Sequence, residues 1–354
     1  MKQGPVLPCL ILVCLLSLAS LRGSAQVAAS EATSARKIPV QSDPDGEAAW
    51  AQLVENLGPS NQGSTTSAAG TLAKADRTRT FYQSHKNNTH VDEARKLEAL
   101  FLLDAVAEGD AASAPRMQAA VQALRGDASL PASQRAIVVG TYEFQMARER
   151  IHSEADMFRE YGLVARRLMK EFPDQPQGYV SLLTQSTQRE PRVARAMAQE
   201  VADSSGPASA RTQAKRLVNR LDLLGQPVDV PFAETLTSGA NAQWQKGKPG
   251  IIYFWATWSP GSINLGEMLA RRNLAGANVI GVCLDVDLAS AQSFASGHKL
   301  PGRLVYIPRG LEGDLSERLG AFEAPTVYFT EGSGVFTDVR GLENVEAKLA
   351  SFGL

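Results

Sequence analysis

Residues 246–262 read KGKPGIIYFWATWSPGS. The apolar and aromatic run Gly250–Trp255 has the composition of a buried β-strand. A short turn follows, and Ser259 with Pro260 then has the pattern of a helix start. Serine at the N-cap accepts a hydrogen bond from a free backbone N–H, and proline at the first helical position needs no donor. The stretch therefore predicts a strand, a tight turn and a helix in succession.

Further apolar runs after this stretch predict four more strands. They lie within residues 278–287, 303–308, 325–330 and 334–340. Helical patterns separate them, at residues 263–272, 288–297, 311–319 and 343–352. Because the strands alternate with helices, the pattern favours an α/β sheet covered on both faces.

The same stretch resembles the active-site strand and turn of the thioredoxin superfamily. It is most similar to the secreted TlpA/ResA-like branch, whose members carry KGKPVLVNFWATWC-x-x-C. The hexapeptide FEAPTV at residues 322–327 resembles the loop that carries the family's cis-proline, here Pro325. The resemblance covers residues 226–354. It implies a thioredoxin-like α/β fold for that part, with a central mixed sheet flanked by helices.

The two reactive cysteines of the family correspond to serines in this chain. In the family, a thiolate at a helix N-terminus attacks, and a thiol three positions later resolves the mixed disulfide. The matching residues here are Ser259 and Ser262, and a family position that is often polar or acidic holds Tyr253. A helix dipole is worth ~0.3–1 kcal/mol, far too little to ionise a hydroxyl. We therefore expect no catalytic residue here and no dithiol–disulfide exchange by the usual route.

The N-terminus has the pattern of a signal peptide over residues 1–25. An apolar run at residues 6–20 is shorter than the ~18–20 residues of a transmembrane helix, which makes an uncleaved anchor the weaker alternative. Cleavage after Ala25 predicts a protein secreted across the inner membrane to the periplasm of a bacterial cell envelope, with no membrane attachment. It also removes Cys9 and Cys14, so the mature chain keeps one cysteine and can form no intramolecular disulfide.

The remaining cysteine, Cys283, lies within an apolar strand pattern. Such a position predicts a buried, inert thiol, and a single redox-active thiol is the alternative. Asp285 and Asp287 follow it, and we expect them to lie in a solvated loop, since two carboxylates without a third ligand give weak evidence for a metal site. No phosphate-binding glycine motif and no Cys/His cluster with zinc spacing is present, so we expect no cofactor and no metal. With 36 basic and 37 acidic side chains, the charge balance gives no case for nucleic acid.

The N-terminal half has a different pattern. Residues 26–70 read as a linker with one short helix near residues 47–57, and residues 71–225 are helical throughout. Helices of about 12–18 residues joined by short turns predict an all-α array of helical hairpins. The turn FPDQP at residues 172–176 resembles the joints of tetratricopeptide-like hairpins, but no clean 34-residue period is present. A degenerate repeat and an irregular bundle therefore both remain open.

Loss of the thiols leaves the groove that substrates of the family occupy. We expect this groove to bind an extended peptide or protein partner without reacting with it. Its residues would be Trp258, Ser259, Pro260, Gly261, Ala324 and Pro325. Two alternatives are an oxidoreductase acting through Cys283 or a partner's cysteines, and a structural or assembly protein of the envelope.

Overall fold

A computed structural model gives the fold of most of the chain. It describes residues 43–57, 67–228, 234–236, 245–298, 300–307, 309–340 and 345–354. The predicted signal peptide and the first part of the predicted linker lie outside the described residues. The chain divides into two compact units, Met1–Gln185 and Ser186–Leu354. No helix within the described ranges is long and apolar enough to cross a membrane.

The first unit is helical, as predicted. Its helices are α1 (Pro44–Leu57), α2 (Ala68–Ser84), α3 (Val91–Ala107), α4 (Ala114–Gly126), α5 (Ala132–Arg148), α6 (Glu154–Glu171) and α7 (Gln177–Ser186). Apolar residues of neighbouring helices form its cores, and arginine–carboxylate pairs join the helices near the surface. The predicted joint at residues 172–176 connects α6 to α7, where the Tyr179 hydroxyl donates to the Pro173 carbonyl at 3.0 Å.

The second unit contains a six-stranded mixed sheet. Its strands are β1 (Glu234–Thr235), β2 (Gly250–Trp255), β3 (Asn278–Cys283), β4 (Arg303–Tyr306), β5 (Thr326–Thr330) and β6 (Phe336–Arg340). The order across the sheet is β1-β4-β3-β2-β5-β6. Strands β2, β3 and β4 are parallel neighbours, whereas β5 is antiparallel to both β2 and β6. The central strand β2 is buried along its whole length.

Helices of the second unit cover the sheet. They are α8 (Pro191–Ala202), α9 (Ala208–Asp222), α10 (Pro260–Ala270), α11 (Leu288–His298), α12 (Asp314–Arg318) and α13 (Val345–Ser351). Because side chains alternate along a strand, Ile251, Tyr253 and Trp255 pack into one core with α10, α11 and α13. Ile252 and Phe254 pack into the core on the opposite face. The predicted sheet with two covered faces is therefore confirmed.

Three elements differ from the sequence pattern, and one is β1, a two-residue strand that no apolar run predicted. The strand predicted over residues 278–287 ends at Cys283, because the backbone turns where Asp285 bonds to the loop after β2. The helix predicted over residues 311–319 is a 3-10 turn, Gly310–Glu312, followed by the short α12. Gly313 separates the two, since its backbone is extended, with ψ at 151°.

Helices α8 and α9 lie in the compact unit that contains the sheet. The change in sequence pattern at residue 226 predicted a boundary there, whereas contacts divide the chain between Gln185 and Ser186. Helix α9 packs against α12, and the Asn219 side chain donates to the Glu317 carbonyl at 3.2 Å. The unit with the sheet therefore includes a helical hairpin that composition alone assigns to the preceding helices.

Candidate functional site

The residues predicted to form the groove come together at the carboxyl end of β2. Trp258 and Ser259 lie in the turn after the strand, and Pro260 and Gly261 begin α10. This turn faces the loop before β5, where the Ala324–Pro325 peptide bond is cis, as the resemblance implied. A Cβ atom added to Gly261 would lie 2.7 Å from Pro325 Cδ, so the absence of a side chain lets helix and loop touch.

Ser259 fixes the turn to this loop. Its hydroxyl donates to the Ala324 carbonyl at 2.6 Å, and the residue is buried. Ser259 is the N-cap residue of α10, but its side chain makes no capping hydrogen bond. The predicted capping role is therefore wrong, because antiparallel pairing of β2 with β5 brings a carbonyl acceptor from the cis-proline loop within reach.

Ser262 forms a hydrogen bond within the same turn. Its hydroxyl accepts a hydrogen bond from the Ala256 backbone N–H at 3.1 Å, and the side chain is almost fully buried. Ala256 follows the last residue of β2, where the strand pairing with β3 ends. The two serines thus both make hydrogen bonds to backbone groups.

Apolar side chains remain exposed around the turn. Trp258 is 55% exposed, and Pro260 is also exposed. Val286, in the segment that follows β3, is 78% exposed. The sequence analysis placed Val286 inside a predicted strand and so did not predict its exposure. Its position between two aspartates was a signal that the strand ends before it.

Asp285 joins the segment after β3 to the segment after β2. Its carboxylate accepts hydrogen bonds from the Thr257 N–H at 2.9 Å and from the Thr257 hydroxyl at 2.8 Å. Asp285 is buried, so the predicted solvated loop is wrong for this residue. Asp287 is exposed and accepts from the Ser290 N–H at 2.9 Å. Among the described residues, no group of three or more His, Cys, Asp or Glu side chains could hold a metal ion.

Cys283 is a buried thiol, as predicted. Its Sγ donates to Asp285 Oδ2 at 3.3 Å. Burial raises the pKa of the thiol well above its ordinary value, and the neighbouring carboxylate raises it further. Because the thiolate is the nucleophilic form, burial and the raised pKa disfavour reaction of this thiol at neutral pH.

Tyr253, which the sequence analysis also singled out, is buried in β2. Its hydroxyl crosses the neighbouring strand and donates to the Pro301 carbonyl at 2.7 Å. Gly281 leaves space for the ring, since a Cβ atom there would lie 2.5 Å from Tyr253 Cζ. Burial raises the pKa of the phenol, which therefore stays protonated at neutral pH.

Arg220, which the sequence analysis did not single out, lies beneath the cis-proline loop. The side chain is buried, and its Nε donates to the Gly320 carbonyl at 3.0 Å. These residues are about a hundred positions apart in the sequence, so no local pattern indicates the contact. The available signal is an arginine three positions from two leucines, Leu217 and Leu223.

The comparisons with known proteins give similarities to solved structures alone. The sequence matches no protein-family model and no curated protein. A thiol-disulfide oxidoreductase from Bacteroides fragilis is 18% identical and has a TM-score of 0.30, over 35% of this chain and 98% of that one. A secreted disulfide oxidoreductase from Mycobacterium tuberculosis is 20% identical, with a TM-score of 0.25, over 30% and 83%. A thioredoxin-like protein from Parabacteroides distasonis is 13% identical, with a TM-score of 0.28, over 36% and 96%.

The architecture of the C-terminal part rests on its own geometry. The turn after β2 lies among three features. They are the parallel pair of central strands, the helix that begins directly after the turn, and the antiparallel β5 with the cis-proline before it. The C-terminal part of this chain therefore has a thioredoxin-like α/β fold, and helices precede it.

Proposed function

We propose that this chain is a secreted, redox-inactive thioredoxin-like protein that binds an extended segment of a protein partner in the cell envelope. One observation carries the proposal. The Ser259 hydroxyl donates to the Ala324 carbonyl and the Ser262 hydroxyl accepts from the Ala256 N–H, at the two positions that resemble the reactive pair of the family. These structural hydrogen bonds support a role in which the surface binds a partner and carries out no thiol chemistry.

The absence of an accessible thiol among the residues that the structure describes supports redox inactivity. Serine forms no disulfide, and a hydroxyl at a helix terminus stays protonated. Cys283 would be the one cysteine of a chain cleaved after Ala25. Its burial and its raised pKa argue against the alternative in which it carries the chemistry.

Exposed apolar groups next to the loop support peptide binding. Tryptophan is enriched among the residues that contribute most to interfaces, and an extended peptide can lie beside a loop as an added strand. Trp258 presents more than half of its surface to solvent, beside the half-buried Ala324 and Pro325. This arrangement suits a partner segment that inserts an apolar side chain against the indole.

Secretion is part of the same proposal. It rests on the signal-peptide pattern of residues 1–25 and on the small and polar composition of the following segment. The pattern is typical of export through the bacterial inner membrane, which would place the partner in the periplasm.

Selection from a displayed library of random peptides tests the binding function. The mature full-length chain serves as bait, and titration calorimetry measures the affinity of synthetic copies of the selected peptides. We expect Trp258→Ala to weaken binding at least tenfold, since a central aromatic contact is commonly worth about 2 kcal/mol or more. Leu163→Ala is the matched control, because Leu163 is 52% exposed on a helix of the other unit. Failure to select any peptide, or equal affinity for the Trp258→Ala chain, would contradict the proposal.

A further inference from the structure

One buried arginine contacts the segment that leads into the cis-proline loop. Arg220 of α9 donates through Nε to the Gly320 carbonyl at 3.0 Å and through Nη1 to Glu323 Oε1 at 3.1 Å. Its guanidinium also lies over the Phe322 ring, 4.2 Å from the ring centre. A single side chain therefore contacts three residues of the segment that leads into Pro325.

The backbone of this segment is fitted to α9. Gly320 has a φ of +64°, a conformation that favours glycine. A Cβ atom at Gly320 would lie 2.1 Å from the Arg216 carbonyl oxygen and 2.6 Å from the Arg220 nitrogen. Because Gly320 lies so close to α9, the Arg220 side chain extends beyond it toward β5.

The contacts of Arg220 continue to the first residue of β5. Arg220 Nη2 lies 3.5 Å from Thr326 Oγ1, and the Thr326 hydroxyl donates to the Glu323 carbonyl at 3.0 Å. Ala324 and Pro325 lie between Glu323 and Thr326 in the sequence. Arg220 thus contacts the residues that flank this pair in the sequence, and Ser259 donates a hydrogen bond to the Ala324 carbonyl.

Arginine suits this position for reasons of charge and geometry. A buried cation needs a charged partner and hydrogen-bond acceptors, which Glu323 and the Gly320 carbonyl supply. The planar guanidinium can donate in several fixed directions and stack on an aromatic ring at the same time, whereas an ammonium group cannot. Lysine at this position would keep the charge but lose the combined contacts.

We propose that Arg220 is a positioning residue for the candidate site, which sets the place of Ala324 and Pro325 and makes α9 part of the support of the partner-binding surface. The inference deepens the proposed function and rests on it for the role of the loop. The position of the loop itself can be measured without any partner.

A thiol introduced at residue 259 reports the position of the cis-proline loop. In the mature full-length chain carrying Ser259→Cys, the new side chain faces the Ala324 carbonyl and is shielded by the loop. Its rate of alkylation by iodoacetamide is measured under native conditions, with the unsubstituted chain correcting for Cys283. Adding Arg220→Met should raise the rate at least fivefold, and adding Arg220→Lys should raise it at least twofold.

The matched control is Arg195→Met. Arg195 forms an exposed ion pair with Asp222 within the same helical hairpin, so the chemical change is the same. We expect this control to leave the alkylation rate within twofold of the Ser259→Cys parent. Rates within twofold of the parent for both Arg220 variants would overturn the inference.

A second variant covers the case in which Arg220→Met unfolds the unit. Unfolding would make Cys283 reactive as well, and mass spectrometry separates the two sites. In that case Glu323→Ala decides, because Glu323 is exposed and its removal takes away one contact of Arg220. At least twofold faster alkylation at position 259 alone supports the inference, and an unchanged rate overturns it.

The two proposals fail separately. If no peptide is selected but the Arg220 variants still change alkylation at position 259, the loop-positioning role stands and the peptide-binding function fails. If peptides bind but the Arg220 variants do not change alkylation at position 259, the peptide-binding function stands and the loop-positioning role fails.

Discussion

Removal of the Ser262 hydroxyl tests whether the serines are structural. In Ser262→Ala the Ala256 N–H loses its acceptor at a site that is closed to water. A buried donor without a partner costs about 1–3 kcal/mol, and the higher helix propensity of alanine offsets roughly 0.5 kcal/mol. We therefore expect the free energy of unfolding to fall by about 0.5–2.5 kcal/mol.

The assay uses Cys283 as a local reporter. Because this thiol is buried beside the turn, its alkylation during a urea titration follows unfolding of the unit that contains the sheet. An m-value of about 2 kcal/mol/M converts a mid-range loss of about 1.5 kcal/mol into a midpoint lower by about 0.75 M.

The matched control is Ser296→Ala. The Ser296 hydroxyl donates to the Gln292 carbonyl at 2.9 Å on an exposed helix surface, so its removal should change stability by less than about 0.5 kcal/mol. If Ser262→Ala lowers the midpoint no more than Ser296→Ala does, the Ala256 N–H does not depend on Ser262, and the reasoning is refuted.

Two further predictions concern a glycine and a carboxylate. Gly261→Ala should destabilise the unit, because the new Cβ would lie 2.7 Å from Pro325, whereas Gly297→Ala meets no atom within 4 Å and should stabilise it by up to about 1 kcal/mol. Urea midpoints compare them, and a stabilising Gly261→Ala would contradict the close contact. Hydrogen bonding, chiefly from the Ser129 hydroxyl, lowers the pKa of Asp127 to about 2. Its stabilising contribution is therefore present above the unfolded value of about 3.9 and lost as the pH falls to about 2. Asp127→Asn should flatten thermal stability against pH in this window, and an unchanged profile would contradict that role.

The site could be located from the sequence because its parts are local. The stretch at residues 246–262 specifies a buried strand, a turn and a helix start, and each agrees with intrinsic preferences. The loop at residues 322–327 is equally short and contains the proline. Their juxtaposition followed from the resemblance, which supplied the sheet order that brings them together.

Side-chain partners were harder to predict because they come from distant segments. The sequence pattern predicts that Ser259 accepts a capping hydrogen bond, whereas its hydroxyl donates to the Ala324 carbonyl, which pairing of β5 with β2 brings within reach. Asp285 looks like a surface residue in its own segment. It becomes buried because parallel pairing of β2 and β3 places Thr257 next to it.

Arg220 shows the same limit at longer range. The pattern of α9 indicates a helix with one apolar face. A charged residue near such a face is expected to lie at the border of the face, with its charge in solvent. The contacts with Gly320 and Glu323 depend on how the hairpin packs within the unit that contains the sheet. No spacing within residues 208–222 encodes that arrangement.

Insulin reduction by dithiothreitol, followed as turbidity, tests whether the chain catalyses dithiol–disulfide exchange. The mature chain is compared with the same chain carrying Ser259→Cys and Ser262→Cys. We predict that the natural chain precipitates insulin no faster than buffer, and that the doubly substituted chain accelerates precipitation. Acceleration by the natural chain, abolished by Cys283→Ala, would contradict redox inactivity and assign the reaction to Cys283.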